Sequence, residues 1–167
     1  IPAFTPPVPA TTEPFDHLSR YFIRYRDALI AAGHSEEVIK HALSWTTHTY
    51  QCVHVAPTDE QAEEELHQIL TAYKTSIERE YSFNKRAEKI SGVELHPHPD
   101  CFSEGWIKTW CLHGSPATVT EELQKHRDLG IGNVLMGFTN GPLTAERVRL
   151  GNQSMELVSR EVMPQLR

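Results

Sequence analysis

His96-Pro97-His98-Pro99-Asp100-Cys101 crowds imidazole, carboxylate and thiol side chains into six consecutive residues. These are zinc-ligand types, but a tetrahedral site needs partners from a second, distant motif, and none at ligand spacing accompanies the run. The alternating prolines support the competing reading, a stiffened loop with His96 and His98 facing solvent, and no metal is predicted. His41, His48, His54 and His67 are scattered. His48 and His54 share strand parity with Tyr50 and Cys52, so one of them can face a pocket; a satisfied structural histidine is the alternative.

Two turns offer other chemistry. Gly114-Ser115 stands at a helix start, where free amides and the helix dipole converge, which makes it an anion-site candidate or an ordinary cap. Phe138-Thr139-Asn140-Gly141-Pro142 follows an apolar run at its C-terminal end, and reads as a substrate-pocket rim or a tight turn. The patterns GxSxG, GxGxxG, HExxH and the P-loop are absent.

The elements that would position these residues follow from periodicity. Leu18, Phe22, Tyr25, Leu29 and Ala32 mark an amphipathic helix stopped by Gly33, and Ser35 caps a short second one. Residues 43–55, rich in β-formers, predict a first strand. Thr58 and Gln61 form a capping box for a helix with Ala62, Leu66, Ile69, Tyr73 and Ile77 on one face and the solvated Glu63, Glu64 and Glu65 mostly on the other. From Tyr81 to Gly105 periodicity fails, which predicts a long loop. Residues 106–112 and 131–138 read as second and third strands, the latter buried on both faces. Between them Ser115 caps a helix with Pro116 at N1, Val119, Leu123 and His126 inward, and Gly130 as left-handed stop. Thr144 caps a last helix, with Val148, Gly151, Met155, Val158 and Val162 as its stripe and Pro164 as its end. Strands alternating with helices predict an α/β fold with a parallel sheet, and three such strands leave open edges, as in part of a barrel or of a larger sheet.

The 167 residues suffice for a single domain, 1–167, with a proline-rich leader at 1–14 that reads as a flexible tail or as a loop of a larger protein. With 16 basic and 22 acidic residues the net charge is −6 and no basic cluster occurs, which argues against nucleic acid and anionic membrane as partners. No apolar run approaches the roughly 20 residues of a membrane span. Three cysteines without CxxC spacing read as reduced thiols, which predicts a cytoplasmic location.

Gly114-Ser115-Pro116, Val119 to Leu123, Asp128-Leu129-Gly130-Ile131, Val134-Leu135-Met136-Gly137-Phe138 and Glu161-Val162-Met163-Pro164 stand in the order and approximate spacing of one family. The chain resembles the C-terminal region of the bacterial luciferase-like flavin-dependent monooxygenases, with weaker similarity back through Tyr81-Ser82-Phe83-Asn84-Lys85 to Thr49-Tyr50. The resemblance implies the C-terminal portion of a (β/α)8 TIM barrel, with parallel strands alternating with helices. It implies reduced FMN, or alternatively a deazaflavin, as cofactor, and O2 and a small organic substrate as reactants. A flavin reductase would supply electrons. It makes residues 90–105 a lid that includes His96, His98 and Asp100, and leaves the phosphate grip and the catalytic residues to the first half of the barrel. No catalytic residue is therefore carried over. This half alone is expected to turn nothing over, and its open edges imply a homo- or hetero-oligomer.

Overall fold

Ser35, Thr58, Ser115 and Thr144 each accept, through the side-chain oxygen, the backbone N–H three residues on, so four helices start where their caps stand in the sequence. The computed structural model describes residues 14–92, 103–138 and 143–166. Its elements are α1 (Pro14–Ala31), α2 (Glu36–Ser44), β1 (Thr47–Tyr50), β2 (Cys52–Val55), α3 (Asp59–Ser91), α4 (Glu104–Trp110), β3 (Cys111–Gly114), α5 (Pro116–Leu129), β4 (Asn133–Met136) and α6 (Ala145–Leu157). A π-helical turn, Val158–Val162, and a final 3-10 turn, Met163–Leu166, close the chain, so Pro164 lies just past the last wide helical turn.

All strand pairing is parallel, as the alternation predicts. β1 pairs with β4, Thr47 opposite Asn133, and β2 pairs with β3, Cys52 opposite Cys111. Gln51 interrupts the first strand and shifts which side its backbone bonds. Val53 stands opposite Leu112, yet its N–H donates to Gly137 O at 2.8 Å, so it has a neighbour on each flank. The stretch 47–55 is therefore the middle of the sheet, with β3 on one side and β4 on the other. In a barrel, strands adjacent in sequence are adjacent in space; here β3 and β4 lie on opposite flanks, and the described strands close no barrel.

Both faces of this short sheet are covered. Val53, Val55 and Leu112 pack with Val119 and Leu123 of α5 and with Val158 and Val162. Cys52 and Cys111, pointing the other way, pack with Leu66, Ile69 and Leu70 of α3, Trp106 of α4 and Leu150 of α6. Among the described residues no helix is long and apolar enough to cross a membrane.

Several expectations are corrected. The predicted strand at 106–112 is mostly α4: Ser103 caps it, Lys108 pairs with Glu104 one turn away, and the strand begins only at Cys111. Local β-formers lost there to a cap and to burial of Trp106 and Thr109 on one helix face. The predicted loop over 81–105 is helical through Ser91, with Ile90 exposed. Burial of Ile90 therefore does not hold that turn. Helix-forming residues and the Lys85–Glu88 pair carry it instead. The remainder of that loop, with His96, His98, Asp100 and Cys101, lies outside the described residues, as does the leader at 1–13. The strand at 131–138 shortens to β4 and is not buried on both faces, since Leu135 is 61% exposed at the sheet edge. Of the predicted stripe of the last helix, Gly151, Val158 and Val162 are buried, while Val148 and Met155 are exposed and Arg147, Leu150 and Ser154 take the inward positions.

Candidate functional site

The carboxyl ends of β2 and β3 point at the first two turns of α3, and here the polar side chains converge. Parallel sheets place their ligands at these ends because loops and helix N-termini gather there. β2 contributes His54, which is 1% exposed and hydrogen-bonded through Nε2 to Glu65 Oε2 at 2.7 Å. Gln61 Nε2 donates to the other oxygen of Glu65 at 2.9 Å, fixing the carboxylate. On β3, His113 stands opposite His54, and its Nε2 meets Glu63 Oε2 at 3.0 Å. Two imidazole–carboxylate pairs thus lie side by side.

Burial holds the His54 pKa below its usual value despite the raising influence of Glu65, so the ring is neutral at pH 7. A carboxylate only accepts, hence Nε2 carries the proton and Nδ1 is a lone-pair acceptor; it is buried and has no hydrogen-bond partner among the described residues. A neutral imidazole oriented by a carboxylate is the arrangement of a general base. His54 lines a cleft of about 230 Å³ with Gln61, Glu65, Gln153, Glu156 and Arg160.

The Gly114-Ser115 turn is a capped helix start, with Ser115 Oγ accepting from Thr118 N. Its anion position is already filled by the protein. Asp59 Oδ1 accepts the Ser115 N–H at 2.6 Å, and this bond is the main cause of an Asp59 pKa below the usual carboxylate range. Gly114 permits that approach: its φ is +140°, and a Cβ there would meet Asp59 Oδ1 and Thr118 at 2.9 Å. An incoming phosphate would confront a carboxylate, so the free anion site expected at Gly114-Ser115 is corrected to an internal Asp59 cap.

His48 is a core histidine. Its ring packs 4.6 Å from Tyr50 and 4.9 Å from His126. His126 Nδ1 donates to Glu122 O at 2.8 Å, which leaves Nε2 to accept the Tyr50 hydroxyl at 3.3 Å. His41 and His67 are exposed. Phe138 is half-buried against the Tyr50–Val162 cluster, a packing residue rather than a pocket rim, while Thr139 and Asn140 lie outside the described residues. Glu63, Glu65 and Asp59 were not singled out by sequence: an acidic run on a helix gives no sign of which carboxylate meets a strand. The signal available was the matching triplets Cys52-Val53-His54 and Cys111-Leu112-His113.

Two concavities bear on a bound flavin. The His54 cleft is below the roughly 300–1,000 Å³ of ligand-sized pockets. A wider groove of about 590 Å³ beside α5 has Arg160 as its cation, and Arg160 is paired with Glu156 at 3.1 Å and Glu161 at 3.5 Å, so neither concavity offers a phosphate an uncommitted cation.

No protein-family model matches the chain, and no curated protein matches it. Solved structures do. Over 92% of its length the chain is similar to the oxygenating constituent of 3,6-diketocamphane monooxygenase from the CAM plasmid of Pseudomonas putida, a type II Baeyer-Villiger monooxygenase in complex with FMN, at 24% identity and TM-score 0.54. Over 95% it is similar to the monooxygenase RslO1 from Streptomyces bottropensis, at 19% identity and TM-score 0.56. The chain spans 41% and 40% of those two proteins. At these identities the likeness is one of fold.

Proposed function

We propose that this chain is part of a flavin-dependent monooxygenase that uses reduced FMN and O2 to oxygenate a small organic substrate, with a flavin reductase as electron source. The observation that carries the reading is the fold likeness, over nearly the whole chain, to two monooxygenases, one of them described with FMN. The flavin supplies the oxygen chemistry when bound, and the protein supplies position and a dry surrounding. Within the reading, neither the Asp59-capped turn nor the His54 cleft serves as the phosphate grip. His54 and Glu65 are an oriented imidazole–carboxylate pair at the carboxyl end of the sheet, beside the cleft.

The test is a parallel titration of the polypeptide that carries this sequence with FMN and with a deazaflavin, followed by flavin fluorescence. Tighter binding of FMN supports the reading. Preference for the deazaflavin assigns the chain to hydride transfer instead, and the absence of saturable binding of either overturns a flavin role.

A further inference from the structure

We propose that Cys52 and Cys111 are a reversible redox pair that closes to a disulfide under hydrogen peroxide and reopens under a thiol reductant. The two residues stand directly opposite one another in the parallel β2–β3 ladder. Adjacent strands run about 4.8 Å apart, inside the 4.4–6.8 Å Cα separation that a disulfide spans. Residues so paired send their side chains to the same face, and both thiols lie in one cluster with Trp106 and Leu70. Both are reduced in this structure, buried, and hydrogen-bonded to each other.

The surroundings favour reaction over inert packing. An apolar pair would fill this core equally well, yet two sulfurs occupy it, with the buried guanidinium of Arg147 acting on Cys52. The contact with Cys111 first, and the Arg147 charge after it, favour the Cys52 thiolate over the burial that opposes it, and the thiolate is the form that attacks a peroxide. The Cys52 sulfur displaces one oxygen of the O–O bond, giving a sulfenic acid and water. The Cys111 thiol then attacks that sulfur; the S–S bond forms, the S–O bond breaks, and the hydroxyl leaves as a second water with the thiol proton. The two thiols lose two electrons and the peroxide gains them. The pair lies beside α4, a helix of 7 residues that ends where Cys111 begins and whose Trp106 packs in the same cluster. So short an element opens at low cost.

The test treats the folded chain with hydrogen peroxide, blocks remaining thiols with N-ethylmaleimide and maps peptides by mass. The expected product has lost two hydrogens, joins the peptide containing Cys52 to the one containing Cys111, and returns to two blockable thiols after dithiothreitol. A Cys101→Ser chain, retaining only the proposed pair, gives the same product; Cys52→Ser and Cys111→Ser each abolish it. The proposal is overturned if both thiols stay blockable after peroxide, if they reach sulfinic acid unlinked, or if either links to Cys101. These readouts need neither flavin nor substrate, so their failure leaves the monooxygenase reading untouched.

Discussion

His48 shows what a buried ring does to proton balance. Burial first, and the neighbouring His126 second, lower its pKa from 6.5 to about 4, so the folded protein refuses a proton that the unfolded chain takes up. Stability is therefore undiminished above pH 6.5 and is lost progressively as pH falls from 6.5 toward 4. The full effect is on the order of 3 kcal/mol. Urea midpoints measured at intervals from pH 7.5 to 4.5 should fall more steeply for the native chain than for His48→Phe. His54 and His126, also lowered by burial, leave that variant a residual slope of the same sign. Asp59 works in the opposite direction: its depressed pKa contributes stability above its usual value that is lost as the carboxyl protonates. Asp59→Asn should lower the melting temperature at pH 7 and lower it less at pH 3, a difference that calorimetry reads.

Among the elements, α3 carries a fully packed side chain at Leu70 and an exposed apolar one at Ile90. Leu70 is 1% exposed in the cluster around Cys52 and Trp106, so Leu70→Ala should cost about 2–5 kcal/mol. Ile90 is 79% exposed, and Ile90→Ala should change stability by no more than about 0.5 kcal/mol. Denaturant unfolding of the two variants side by side checks the contrast. β4 is attached differently. A Cβ on Gly132 would lie 2.1 Å from the Ser44 carbonyl oxygen, and the Gly132 N–H donates to Thr46 Oγ1 at 3.1 Å. Gly132→Ala must push the strand off α2, at a cost of about 1–3 kcal/mol. Amide exchange should rise in 133–136 while β2 and β3 keep their protection.

At the scale of the molecule, the sheet has a middle strand bonded on both flanks and an edge strand with an exposed apolar side chain. A parallel edge with an exposed Leu135 is the kind of surface to which a second copy can add. Light scattering after size exclusion at micromolar concentration should show self-association, and Leu135→Lys should return the chain to monomer. A native chain that runs as a clean monomer would remove the edge from consideration.

Local chemistry alone determined much of this protein. Four helix starts, the left-handed Gly130 and the inward trio Val119, Leu123 and His126 stand where sequence places them, because a cap or a helical stripe is settled within a few residues. The parallel alternation was legible for the same reason: a helix between two strands leaves few other connections. Tertiary structure decided the rest. Which strand lies in the middle depends on a bulge at Gln51 and on which faces the helices cover, and neither is written in the strands themselves. Trp106 joined a helix because a core lay on one side of it, and Ile90 stayed in one although its own side chain is exposed. The site residues follow the same rule. Asp59 closes the turn at Ser115, and Glu65 reaches His54, across contacts that exist only once α3 lies against β2 and β3.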